Sequence, residues 1–170
     1  MEIQILLVRH GEAVDQAPGL GDEGRFLTRK GRKISRRMAR WLAKRDERSP
    51  AAIWTSPLVR AVQTAEILAE RARPREGVVA KGELSPNADP RELMDLLAAY
   101  DGPGPLALVG HEPLLSLVGR ALLGDVDWEG LKKSGVLAVT WDRIGPARMR
   151  FLLMPKDLSV ETRLKAREST

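Results

Sequence analysis

The apolar run Ile3-Gln4-Ile5-Leu6-Leu7-Val8 ends abruptly in Arg9-His10-Gly11-Glu12. So apolar a segment suits a buried strand, which needs a sheet covered by helices. The pattern recurs along the chain. Strands are expected at Ile3–Val8, Ala51–Thr55, Gly77–Ala80 and Leu106–Gly110, and helices at Arg29–Arg45, Leu58–Arg73, Pro90–Tyr100 and Pro113–Leu123. This alternation predicts an α/β fold, a three-layer αβα arrangement around a mostly parallel, doubly wound sheet. Two later runs, Val136–Trp141 and Met149–Met154, flank the turn Arg143-Ile144-Gly145-Pro146 and predict a hairpin, so the sheet has a mixed edge. At 170 residues the chain is long enough for one domain with its own core, expected over 1–158, followed by a charged tail, 159–170, that frays. Asp101–Pro105 reads as a stiff connector and Leu20–Gly24 as a mobile loop.

Two histidines are all the chain has, and each stands where an apolar strand ends: His10 after Val8-Arg9, and His111 after Leu106-Ala107-Leu108-Val109-Gly110. In open α/β sheets, ligands bind outside the carboxyl ends of the strands. A neutral imidazole there can act as nucleophile or base, and a protonated one can hold an anion. A third segment is Thr55-Ser56-Pro57-Leu58-Val59-Arg60-Ala61-Val62-Gln63-Thr64-Ala65. Ser56 is expected to cap a helix that starts at Pro57, with Leu58, Val62, Ala65 and Ala69 on its inner face. That puts Arg60 in the first turn, where a cation opposes the helix dipole. An arginine so placed calls for an anion, and its planar fork suits a phosphate.

Composition narrows the classes. With 43% hydrophobic and 30% charged residues the chain reads as a globular protein, without an apolar run of membrane-spanning length or a signal peptide, and it is expected in the cytoplasm. It has no cysteine, so disulfides and thiolate metal sites are excluded. The net charge of +5 raises the question of nucleic acid. The basic residues from Arg29 to Arg45, however, surround an apolar stripe of Ile34, Met38, Trp41 and Leu42, as a solvated helix face does, and aromatics are only 4%.

Together, Arg9-His10-Gly11, Ser56-Pro57-x-x-Arg60-Ala61-x-Gln63-Thr64-Ala65 and Gly110-His111-Glu112-Pro113 resemble the histidine phosphatase superfamily, also called phosphoglycerate mutase-like. Leu27-Thr28-x-x-Gly31 and Met154-Pro155-x-x-Leu158 extend the resemblance. The short chain is most similar to the SixA-type phosphohistidine phosphatases. The resemblance implies that His10 accepts a phosphoryl group and then loses it to water, and that Arg9, Arg60 and His111 bind the phosphate. It implies no metal and no cofactor. In mutase-like members a glutamate protonates the leaving group. Glu83, in Lys81-Gly82-Glu83-Leu84-Ser85-Pro86, stands nearest to it, with Glu12 as the alternative acid or as a residue that orients the site.

The implied substrate is a phosphohistidine on a protein partner, since the chain lacks the extra segments with which mutase-like relatives build lids. The alternatives are a small phosphate ester, or a non-catalytic module that binds phosphate or nucleic acid; the full set of core residues argues against the last.

Overall fold

The structure, a computed structural model, describes residues 1–124 and 126–166. Four strands, β1 (Ile3–Arg9), β2 (Ala52–Thr55), β3 (Val78–Ala80) and β4 (Leu106–Gly110), alternate with helices α1 (Arg29–Leu42), α2 (Val59–Ala72), α3 (Pro90–Ala99) and α4 (Leu114–Leu123). A short strand β5 (Val126–Asp127), the hairpin β6 (Val136–Trp141) and β7 (Arg148–Leu153), and the short strands β8 (Val160–Glu161) and β9 (Lys165–Ala166) follow.

The main sheet runs β3-β2-β4-β1-β6-β7-β8, parallel from β3 to β1 and antiparallel from β1 to β8. It is the expected mixed sheet. The side-chain alternation of its central strands divides the core in two. Leu6, Val8, Ala107 and Val109 pack with Met38, Leu42, Ala61 and Leu68 of α1 and α2; Ile5, Leu7, Leu106 and Leu108 pack with Leu93, Leu97, Leu115 and Val118 of α3 and α4. Burial on both faces explains why these strands carry apolar residues at both alternating positions.

The structure differs from several local expectations. Helix α2 begins at Val59, with Leu58 at its N-cap, so Ser56 does not cap it. Its inner face is formed by Arg60, Ala61, Thr64, Ala65, Ile67 and Leu68, which shifts the buried stripe away from Val62. The segment after Leu158 does not simply fray: Val160–Glu161 extends the sheet beside β7, and Lys165–Ala166 pairs with β5. These strands are held by backbone pairing and β8 is exposed, so no apolar alternation announces them. Residues 167–170 of the expected tail lie outside the described residues. The segment read as a mobile loop, Leu20–Gly24, has local structure, with a bridge between Ala17 and Leu20 and a 3-10 turn at Asp22–Gly24. Among the described residues, no helix is long and apolar enough to cross a membrane.

Candidate active site

Strand register builds the site. β1 and β4 are parallel neighbours with Arg9 opposite Gly110, so His10 and His111 leave the sheet side by side. Their rings lie 4.9 Å apart between centroids, tilted by 55°. The order of strands reverses here, since β4 stands between β1 and β2, and such a switch point opens a crevice. On the other side of β4, the Ser56 amide donates to the Val109 carbonyl at 2.9 Å. The Ser56 hydroxyl, read from the sequence as a helix cap, instead meets His111 Nε2 at 2.7 Å. Ser56 is fully buried and is a site residue that sequence reasoning missed in this role.

His10 has a defined tautomer. Its Nδ1 lies 2.7 Å from the Gly11 carbonyl, which can only accept, so the ring proton sits on Nδ1 and Nε2 keeps its lone pair. Arg60 Nε donates toward that lone pair at 3.4 Å. Burial pushes the His10 pKa down to about 4; the Arg60, Arg9 and Arg25 charges add to this, against the Gly11 hydrogen bond. Burial, the His10 ring and Arg60 push His111 down to about 3.

The depressed pKa of His10 has a measurable consequence. Between pH 6.5 and about 4 the unfolded chain takes a proton on His10 that the folded chain refuses. Stability therefore falls as pH drops through this window, on the order of 3 kcal/mol for His10, and His111 acts in the same direction. We expect the His10 imidazole NMR signals to remain those of the neutral ring from pH 8 to pH 5, while urea unfolding midpoints decline. A His10 titration midpoint near the ordinary histidine value would contradict the buried, arginine-flanked site.

Arg60 lies in the first turn of α2 with 5% of its surface exposed. Its Nη1 donates to the Asp22 carbonyl at 2.7 Å and its Nη2 to Asp22 Oδ2 at 3.1 Å. The end of the guanidinium is thus held by Asp22, while the Nε edge faces His10. Asp22 Oδ1 accepts from Arg25 Nη1 at 3.0 Å. Partial burial works against ionisation of Asp22, but the Arg25 and Arg60 hydrogen bonds hold its carboxyl below the usual range. Nothing in Leu20–Gly24 beyond an acid among glycines signals this role.

The remaining motif residues fix the backbone. Thr64 Oγ1 accepts from the Gly11 amide at 3.0 Å and donates to the Arg60 carbonyl at 2.8 Å. Gln63 Oε1 accepts from the Leu27 amide at 2.8 Å. Thr28 caps α1, its hydroxyl accepting from the Gly31 amide at 3.0 Å. Gly31 is required by proximity, because a Cβ there would stand 2.1 Å from the Glu12 carbonyl oxygen. Glu112 accepts from the Ser116 amide at 3.1 Å and the Leu131 amide at 2.8 Å, and the Leu131 carbonyl in turn accepts from Arg9 Nη1 at 2.8 Å. Arg9 Nε is buried without a partner among the described residues.

The two candidate acids fare differently from the four central residues. Glu83 is part-exposed in a 3-10 turn, Gly82–Leu84, with Leu84 packed near Gly110 at the same end of the sheet. Among the described residues it makes no hydrogen bond to His10, Arg60 or His111. Glu12 is turned to α1, where its carboxylate accepts from Thr28 Oγ1 at 2.8 Å and pairs with Lys30 at 3.3 Å. Those contacts hold it below the usual carboxylate range and tie it to the start of α1.

Comparison with known proteins identifies the family and the fold. The sequence model of the histidine phosphatase superfamily (branch 1) matches residues 5–84. An uncharacterized protein of Picosynechococcus sp. is 33% identical over 152 residues, covering 87% of this chain and 89% of its own. The protein histidine phosphatase SixA, solved with tungstate, superposes with a TM-score of 0.81 at 27% identity, over 92% of this chain and all of that one. A putative phosphohistidine phosphatase SixA from Agrobacterium tumefaciens gives 0.78 at 28% identity, over 90% of this chain and 98% of its own. With its two strand-end histidines side by side and an arginine edge turned to the first, the chain belongs to the histidine phosphatase superfamily, among its SixA-like members.

Proposed function

We propose that this phosphatase works through a phosphohistidine on His10 and acts on phosphohistidine in a protein. The observation that carries the reading is the His10 tautomer: the Gly11 carbonyl fixes the proton on Nδ1, and the free Nε2 faces the Nε edge of Arg60. In the first step Nε2 attacks phosphorus, the bond from phosphorus to the substrate nitrogen breaks, and the leaving imidazole departs with a proton. In the second, water attacks phosphorus, the bond to Nε2 breaks and inorganic phosphate leaves. Covalent catalysis divides one difficult displacement into two. Arg60 and Arg9 meet the charge spread over the equatorial oxygens with their guanidiniums, and His111, held neutral by burial, adds a hydrogen bond rather than a charge. Ser56, bonded to His111 Nε2, sets the orientation of that ring. This reading includes neither metal nor cofactor, and it places the protein in the cytoplasm, with which a cysteine-free chain is compatible.

The substrate preference is supported by the SixA proteins to which the chain is similar. Phosphohistidine also asks least of a general acid, because a protonated imidazole leaves readily. A side-by-side assay on phosphohistidine protein, free phosphohistidine and common phosphate esters tests it. The protein substrate should have the highest kcat/KM; faster hydrolysis of an ester would make the chain a small-molecule phosphomonoesterase.

Glu83 enters this reading as the acid for poor leaving groups. Glu83→Gln should then slow alkyl phosphates at least tenfold while leaving activated aryl phosphates and phosphohistidine nearly unchanged, since only the alkoxide needs a proton in the transition state. Equal slowing of all three substrates would assign Glu83 a structural role.

A further inference from the structure

A basic groove starts at the mouth of the site and follows α1. Its first hollow, about 460 Å³, lies between α1 and the segments 132–134 and 155–156, with Arg9, Lys30, Lys132, Lys133 and Lys156 around an apolar floor that includes Ile34. A second hollow, about 230 Å³, continues along the helix between Arg37, Arg40, Trp41, Lys44 and Leu158. Arg37 stands between the two and reaches the Lys156 carbonyl at 3.5 Å. The helix positions 30, 34, 37 and 41 recur at three- and four-residue spacing, so they share one face of α1, and Lys44 follows in the turn just past its end. Among the described residues lining both hollows, Glu12 is the one acid, and it is paired with Lys30.

From Lys30 to Trp41 this face runs for about 16 Å at the helical rise. That is far beyond the reach of one phosphoryl-bearing side chain or a small ester. Solvating the helix accounts for charges on its outer face, but not for lysines that converge from 132, 133 and 156 on the same groove, beside an arginine of the site. A hollow lined by lysines together with Ile34 and Pro155 fits a surface that offers both acidic and apolar contacts.

We infer that the α1 groove docks an acidic surface of the phosphoprotein substrate, next to its phosphohistidine. This rests on the phosphohistidine reading and adds its selectivity: the partner is chosen by negative charge over several helical turns, whereas the chemistry at His10 does not distinguish one imidazole phosphate from another.

The test uses the full chain and two 20-residue peptides, each with one chemically phosphorylated histidine, flanked in one by Glu and Leu and in the other by Lys and Leu. At low salt the acidic peptide should have a kcat/KM ten- to a hundredfold higher, narrowing in 0.5 M salt, as electrostatic steering requires. The triple variant Arg40→Glu, Lys44→Glu, Lys156→Glu alters exposed or rim positions away from the chemistry. It should erase or reverse the preference and leave free phosphohistidine turnover unchanged. If both peptides are cleaved equally by the unaltered chain, or if the variant keeps the preference, the docking inference is overturned while the phosphohistidine reading stands. If neither peptide is cleaved but esters are, that reading fails. Tight, salt-sensitive binding of a single-stranded oligonucleotide in this groove, without any peptide preference, would also overturn the inference in favour of nucleic acid.

Discussion

His10→Ala should remove both turnover and covalent label, with a loss of roughly 10⁴-fold or more in rate, as expected when the group that bonds to the transferring atom is deleted. In the intact protein, brief exposure to a labelled phosphate donor should leave phosphate in a linkage labile in acid and stable in base, as a phosphoramidate is and a phosphoserine is not. The geometry makes the assignment sharp, because His10 offers a lone pair at Nε2 whereas His111 Nε2 is already engaged by Ser56. His111→Ala should therefore slow turnover while some label still forms on His10. Label that persists in His10→Ala, or that maps to His111, would reverse the two roles.

Arg60→Ala should cost about a hundred- to a thousandfold in kcat/KM, comparable to loss of a charge-stabilising donor in a covalent transition state. Arg60→Lys should recover little of it. A lysine cannot hold Asp22 with one edge and face His10 with another, which is what the planar guanidinium does here. Steady-state assay on an aryl phosphate measures the loss, and a thermal melt checks that the fold persists. Rates near those of the unaltered chain would mean that the buried Arg60 serves packing alone.

The parts of this site that could be read in the sequence are those fixed by local pattern. His10 and His111 directly follow apolar strands, so their placement at the carboxyl edge of the sheet needed only the strand boundaries, and parallel register did the rest. Arg60 was visible as a cation at the wrong end of a helix. Asp22 was not, because its position depends on where the chain path sets Arg25 and Arg60, and a stretch of glycines and acids has no periodicity from which to infer that path. Ser56 misled for a related reason. A serine before a proline and an amphipathic run has the form of a helix cap, yet the strand pairing of β2 with β4 carries its hydroxyl to His111. The late strands β8 and β9 are not legible in the sequence, because segments of two residues are too short for a periodic pattern and can pair through backbone alone.

The pairing of Asp22 with Arg60 also bears on how the protein comes into being. A guanidinium buried beside two imidazoles would be a costly thing to fold around without a counter-ion, and an unpaired buried charge commonly costs several kcal/mol. Asp22 supplies that counter-ion from twelve residues beyond His10, on the same connection between β1 and α1. The buried guanidinium thus has its counter-ion within the chain itself, and the folded state does not need a bound anion to balance that charge.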